Sequence, residues 1–485
     1  MNILQKIISS LNKEESRFYK LLGARTNNHK ERKDFLLFDY IRKNGFDYKE
    51  NVIANKLHGT NKNAYYQLKN RLLSDLNKSM MLQYLEKESD ISIMQNILLS
   101  RVYLRKGETT VAYWFLKKAE ENALKLEHYD LLNTIYSEIL KLSHEMVSIE
   151  VEAYLNKQKE NKKKLDKVQE FDQVLALVMY RIKTAQNFNN SDSGISQILE
   201  EILKENKSNK ELLQSPKFRL KTYQIISRIL LQKHDYPALE TYLIETYNSF
   251  CHEGLFNKSN HEQKLMMLTY LSNCLYKTQK HSESLAYAAQ LQAAMDEYQG
   301  FLKAKFLFYY YNALVINYSK LDKEKELAIL AEAKNNPIIK QLPTYSVFVY
   351  LNTALAYFDL GRYKNANKSL SQLLLHEDFL DIAPSFQWKI RLAELIIKYE
   401  LGDFDSVEKR IKSIQKNYPK FLEENERESL LIKIIKRLIY CNNLQQDQAL
   451  LEDIKQFLTQ LTNEAADDTD VINYNLWLKT KIKED

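Results

Sequence analysis

Cys251 and His252 stand side by side, and they are the natural place to look for metal chemistry, because thiolate and imidazole are preferred zinc ligands. No partner group follows at zinc-site spacing. The other two cysteines, Cys274 and Cys441, lie far apart in sequence, and the nine histidines form no HExxH. The nearest two glycines, Gly45 and Gly59, are 14 residues apart, so neither a GxGxxG turn nor a Walker A loop exists, and nucleotide cofactors held by those loops are excluded. There is no GxSxG elbow, and no cysteine has the local surroundings of a nucleophile. Carboxylate pairs such as Glu138 and Glu145 recur along the chain without any acid–base pattern. These residues predict a protein that is not an enzyme and carries neither metal nor cofactor.

Cations are the more informative groups. Residues 1–80 hold 16 Lys and Arg against 8 Asp and Glu, whereas the other 405 residues hold 54 against 55, so the net charge of +7 belongs to the amino-terminal segment. Within it, NVIANKLHGTNKNAYYQLKNRLLSDL (51–76) gathers Lys62, Asn63, Tyr66, Lys69, Asn70 and Arg71, side chains able to meet phosphates and base edges. A second dense run, NKQKENKKKLDKVQE (156–170), is interrupted by Glu160, Asp166 and Glu170 and reads as a solvated helix face.

The elements that must position these groups are helices. Asp130–Glu145 and Phe218–Gln232 both space apolar residues by three and four, and no run alternates with period two, which predicts an all-α fold. Only nine glycines and six prolines interrupt the chain. Pro216, Pro337, Pro343, Pro384 and Pro419 mark joins, and Pro237 fits the first turn of a helix, where its missing N–H has no partner. Before residue 90 the pattern predicts helices over about 13–22, 34–43, 49–58 and 62–86, with Asn12 and Glu15 as a capping box and Asn61 as a cap. The aromatic run FLFYYYNALVINY (306–318) covers several faces of one helix and predicts a helix enclosed on more than one side. No apolar run approaches about 18 residues, and the opening apolar stretch is too short for a secretory signal, so a cytoplasmic protein with free thiols and no membrane contact is expected.

Repetition organises the helices. LAYFDLGRYKNANKSL (355–370) and IIKYELGDFDSVEKRI (396–411) share Leu-Gly, one residue, then an aromatic, with Gly361 and Gly402 spaced by 41 residues. Echoes centre on Gly107, His234, Gln279 and Asp322. One unit carries Tyr350, Ala354, Tyr357, Gly361, Tyr363, Ala366 and Leu370; another carries Leu99, Ser100, Tyr103, Gly107, Ala112, Leu116 and Ala119. These residues resemble the tetratricopeptide repeat, in a degenerate version whose period is longer than the usual ~34 residues.

The resemblance implies a right-handed superhelical solenoid of antiparallel helix pairs over 89–465, behind a basic helical module at 1–88 and closed by a capping helix at 466–485, with Asp470 as its N-cap and Trp477 and Leu478 covering the last pair. In that family the first helix of each pair lines a groove for extended peptides or partner helices. Matching positions here are Arg101 and Arg105, Gln224 and Arg228, Asn273 and Lys277, and Asn312 and Lys320. Their guanidinium, ammonium and amide groups suit a carboxylate and a peptide backbone.

The 51–76 stretch resembles a helix-turn-helix, with Ile53, Ala54, Leu57 and Leu68 as its interior, although Gly59 falls five rather than four residues after Ala54. A helix-turn-helix ahead of a repeat array resembles the peptide-sensing transcription regulators. Two functions therefore stand open: an adaptor that binds protein or peptide in its groove, and a nucleic-acid-binding regulator controlled through the repeats. The oligomeric state is not legible.

Overall fold

The structure, a computed structural model, describes residues 3–26, 32–45, 48–59, 61–85, 89–185, 215–342, 344–376, 379–380, 382–441, 444–459 and 470–483. Pro343 and the first residues of the expected capping segment, 466–469, fall outside them. Among the described residues every regular element is a helix. The chain divides into two compact units, residues 1–180 with 217–221, and 181–216 with 222–485.

In the first unit, helices α1 (Ile3–Ser10), α2 (Lys13–Thr26), α3 (Lys33–Asn44), α4 (Glu50–His58) and α5 (Lys62–Tyr84) enclose one apolar cluster. It contains Leu4, Ile8, Tyr19, Phe38, Ile53, Leu57, Leu68, Leu72 and Leu76, so the apolar stripe of α5 faces inward as its spacing requires. Helix α1 is a correction to the expected set. Its single turn of polar residues between two apolar clusters hides an amphipathic face that buries Leu4 and Ile8. Both expected caps form: Asn12 N–H donates to Glu15 at 2.6 Å while Glu15 N–H donates to Asn12 Oδ1 at 2.8 Å, and Asn61 Oδ1 accepts from Ala64 N–H at 3.0 Å. Helices α6 (Ser89–Arg105), α7 (Thr109–Lys125), α8 (Tyr129–Leu142) and α9 (Val151–Ala185) follow. The lysine run lies on α9, where Lys163 and Lys167 pair locally with Glu160 and Glu170 at 2.8 and 2.9 Å.

The second unit continues with α10 (Pro216–Gln232), apart from its residues 217–221, and with α11 (Tyr236–His252), α12 (His261–Lys277), α13 (His281–Met295), α14 (Lys303–Leu321) and α15 (Lys323–Asn335). A π-helical stretch, Val347–Leu351, leads into α16 (Asn352–Asp359), and α17 (Tyr363–Leu374), α18 (Pro384–Glu400) and α19 (Phe404–Asn417) come next. Helices α20 (Pro419–Glu424), α21 (Glu426–Leu438), α22 (Gln448–Thr459) and α23 (Tyr474–Lys483) close the chain.

One turn recurs at six of the joins. Gly107, Glu127, His234, Gln279, Gly361 and Gly402 all have positive φ, between 52° and 79°. In each case the next residue's N–H reaches back five residues, as from Glu108 to Tyr103 O at 3.0 Å, Lys280 to Leu275 O at 2.8 Å and Arg362 to Tyr357 O. That closure satisfies the last carbonyls of one helix. The same next residue caps the following helix, so two helices fold back on each other with almost no loop; Asp235 and Asp403 also accept N–H bonds through their side chains, at 3.1 and 3.3 Å. Glu127, His234 and Gln279 show why the repeat looks degenerate in sequence: the left-handed position is kept while glycine is not.

The mark at Asp322 is a different object. Its φ is −160°, and it serves as the N-cap of α15, accepting from Glu324 and Lys325 N–H at 3.1 Å each. The join there is a single residue, where the recurring turn takes three. The expected cap at Asp470 is also corrected. Asp470 is buried against the Arg427 guanidinium at 2.8 Å, which sits over the rings of Phe457 and Tyr474. Its carboxylate is therefore committed, and Asn473 Oδ1 caps α23 by accepting from Leu476 N–H at 2.7 Å. Trp477 and Leu478 are buried, and the Trp477 indole N–H donates to Glu400 at 2.5 Å.

Candidate functional site

Helices α10, α12 and α14 of the second unit carry six of the eight cations and amides matched to the repeat groove, Gln224, Arg228, Asn273, Lys277, Asn312 and Lys320. Along α12, the side not taken up by its neighbours runs through Glu262, Met266, Tyr270, Asn273 and Lys277, spaced by three and four residues. Along α14 the corresponding side runs through Lys305, Tyr309, Asn312, Ile316 and Lys320. The two sides lie next to each other, since Lys305 of α14 pairs with Glu262 of α12 at 2.6 Å. From α10, the Arg228 guanidinium lies 5.3 Å from the centre of the Tyr270 ring. Burial pushes the Tyr270 phenol pKa up, and the Arg228 charge opposes that rise. Gln224 sits one turn before Arg228 on the same helix and is half-buried.

Asn273 and Asn312 are half-buried, and neither carboxamide has a hydrogen-bond partner among the described residues. A half-buried carboxamide with both donor and acceptor unused can still be satisfied by water or by a ligand's backbone. Their neighbour Asn317 has the opposite circumstances. It is fully buried, donates to Ser284 Oγ at 2.7 Å and to Ala313 O at 2.8 Å, and lies 3.1 Å from His281 Nδ1. Ser272 and Ser284 complete that seam, each hydroxyl donating to the other's carbonyl at 3.0 and 2.7 Å.

Tyr270 and Tyr309 were missed by sequence reasoning. The signal was present as Tyr-x-x-Asn in both helices, Tyr270 with Asn273 and Tyr309 with Asn312, 39 residues apart. It was hidden in the second by the run of three consecutive tyrosines. That run packs as its composition suggested: Tyr311 donates to Glu332 at 2.7 Å, Tyr310 to Gln292 at 3.0 Å, and Phe308 meets Phe348 at 5.0 Å, leaving Tyr309 outward.

Arg101 and Arg105 belong to α6 of the first unit. Arg101 pairs with Glu138 of α8 at 2.9 Å, and Arg105 is exposed. In the amino-terminal helices, Lys62, Asn63, Tyr66, Asn70 and Arg71 are exposed on α5, Tyr66 at 63%. Lys69 differs, because its ammonium is tied to Glu50 of α4 at 2.5 Å. Among the described residues no group of three or more His, Cys, Asp or Glu side chains is placed to hold a metal ion, and no helix is long and apolar enough to cross a membrane. Cys251 is exposed, Cys274 is buried and Cys441 is half-buried, all as free thiols; burial pushes the Cys274 thiol up to about 12.

No protein-family model matches the chain. No curated protein matches it either. Among solved structures, the crystal structure of the apo form of RapI is similar, with a TM-score of 0.47 and 12% identity over 81% of this chain and 98% of that one.

Proposed function

We propose that this protein is a non-catalytic adaptor that holds an extended protein or peptide segment along the α10–α12–α14 face. The observation that carries the reading is the pair of carboxamides, Asn273 and Asn312, without a hydrogen-bond partner among the described residues and each one turn beyond a tyrosine on adjacent helices. An asparagine side chain offers an N–H and a C=O in the arrangement of a peptide unit, so it can bond both groups of a ligand's main chain. Arg228, Lys277 and Lys320 flank the amides and favour a segment rich in carboxylates. Tyr270 and Tyr309 supply flat apolar surface with little rotamer entropy to lose. Selecting peptides from a random displayed library on the full chain, then repeating with Arg228→Ala and Asn273→Ala, tests the reading. Selected sequences should be acidic and should lose affinity for both variants; recovery of the same peptides by the variants overturns it.

A nucleic-acid-binding regulator is the second reading, favoured by the exposed opening turns of α5, where Lys62, Asn63, Tyr66 and Asn70 follow a capped N-terminus. Lys69 contributes less to it than its position suggested, being engaged by Glu50. This reading requires nucleic acid to bind at low salt and dissociate steeply as salt rises. A Lys62→Ala/Arg71→Ala variant with unchanged affinity and salt slope removes it.

A further inference from the structure

A different groove lies in the first unit, between α7 and α9, and its floor is built around Glu120. This carboxylate is 2% exposed, yet Lys117 Nζ lies 2.7 Å from Oε2, Lys157 Nζ 2.8 Å from Oε1, and the Tyr154 hydroxyl donates to Oε2 at 3.2 Å. Burial alone would raise the Glu120 pKa, but the bonds from Lys117 and Lys157 outweigh it and hold the carboxyl below its ordinary value. The result is a fixed pair of ammonium groups carrying more positive charge than the single carboxylate cancels.

Each ammonium has three donors. Lys117 uses two, on Glu120 and on the Tyr154 oxygen at 3.1 Å, and Lys157 uses one on Glu120. Both remain close to half exposed, and both line the groove. Lys118 stands 5.3 Å from the Trp114 ring and adds a third cation. The rim acid Glu121 is occupied by Lys125 at 2.8 Å. The groove therefore favours an anion.

Its apolar parts specify what the anion is attached to. Trp114 and Leu124 are 57% and 52% exposed and lie at opposite ends of the lining stretch of α7. Ten residues of helix span about 15 Å at ~1.5 Å per residue. An extended chain covers that distance in roughly four to five residues at ~3.3 Å each. A free inorganic anion would leave Trp114 and Leu124 uncovered, and an apolar ligand would leave the ammonium groups without a counter-charge.

We propose that the α7–α9 groove binds a linear acidic peptide segment in which a carboxylate, held by Lys117 and Lys157, stands between two apolar side chains that cover Trp114 and Leu124. Glu120 is the positioning residue, since it fixes both ammonium groups without facing the ligand. The inference concerns the first unit and does not rest on the peptide face of the second.

The test uses the full chain and three nine-residue synthetic peptides with leucine two positions either side of a central glutamate, glutamine or lysine in a serine-glycine background. Trp388 and Trp477 are buried, so a change in tryptophan emission on binding reports on Trp114. The glutamate peptide should bind at least tenfold more tightly than the glutamine one, shift the emission to shorter wavelength, and lose at least tenfold in Lys157→Gln. The emission shift should vanish in Trp114→Phe. Lys118→Gln, which leaves the Glu120 cluster intact, should lose about threefold and keeps the test valid if Lys157→Gln folds poorly. Binding should be unchanged in Arg228→Ala. Equal affinity for the glutamate and glutamine peptides, full retention by Lys157→Gln and Lys118→Gln, or displacement by millimolar inorganic phosphate irrespective of the leucines overturns the proposal. So does loss in Arg228→Ala, which would place the peptide on the other face.

Discussion

Asn317 and Asn312 lie five residues apart on α14 and have been put to opposite uses. Asn317 faces the seam between α12, α13 and α14, where its amide N–H groups donate to Ser284 Oγ and Ala313 O and its oxygen meets His281 Nδ1. Asn312 is half-buried three residues beyond Tyr309, with no side-chain hydrogen-bond partner among the described residues. The seam shows that this fold can satisfy a carboxamide completely when it needs one for packing. An unsatisfied one, matched by Asn273 on the adjacent helix, is therefore not required by the fold, and its bonding groups are left for something else. Burial and partner count separate the residues that hold the helices together from those that face a ligand, although the sequence writes both with the same letter.

The contrast is broken most directly at the seam. Asn317→Ala takes a partner from both Ser284 Oγ and His281 Nδ1 and empties a fully buried position, and it should cost about 2–3 kcal/mol, read as a lower urea midpoint. A loss below about 0.5 kcal/mol would mean that the seam is no more structural than the face. The Glu120 cluster is the equivalent buried network of the first unit, and Glu120→Gln should cost about 2 kcal/mol at neutral pH. Its sign with pH is fixed by the direction of the shift. The folded carboxyl pKa is held down by Lys117 and Lys157, so its contribution is present above the unfolded value and is lost as pH falls through the folded one. The difference between wild type and Glu120→Gln should shrink accordingly in acid; a gap that is constant with pH would show that the charge plays no part.

A smaller effect belongs to the turns. Gly361→Ala places a Cβ at φ +68° with open space around it, so the cost is conformational, about 1 kcal/mol. Gln279→Gly occupies the same left-handed position at φ 62° from the other direction and should stabilise by a comparable or smaller amount. Thermal midpoints moving in the same direction for both would contradict a shared turn.

These turns also explain how much could be read beforehand. The helices, two of the amino-terminal caps and the enclosed aromatic helix follow from periodicity and side-chain chemistry that act locally. The repeat marks at Gly361 and Gly402 are legible because a glycine and an aromatic two residues on recur in both, while Gly107, His234 and Gln279 keep only part of that pattern. The turn at Glu127 keeps an aromatic two residues on, Tyr129, but has no glycine, and its left-handed φ of 52° appears only in the structure. Asp322 was aligned with the others although it is a cap rather than a left-handed residue, which shifts the register of α14 by one. Helix α1 and the commitment of Asp470 to Arg427 depend on partners distant in sequence, and no local pattern announces them. The candidate face was legible as isolated cations and amides. Its tyrosines, and the fact that two of its asparagines are unspent while Asn317 is not, appear only when neighbouring helices are in place.

The smallest expected effect on stability carries the largest consequence for function. Asn273→Ala/Asn312→Ala removes side chains that make no hydrogen bond among the described residues, so the urea midpoint should correspond to a change within about 0.5 kcal/mol per site. Binding of a peptide selected on the full chain, measured by fluorescence anisotropy for wild type and for this double variant, is the most direct test of the central claim. The account predicts at least a tenfold weaker affinity at unchanged stability. Equal affinity in the two proteins would contradict it.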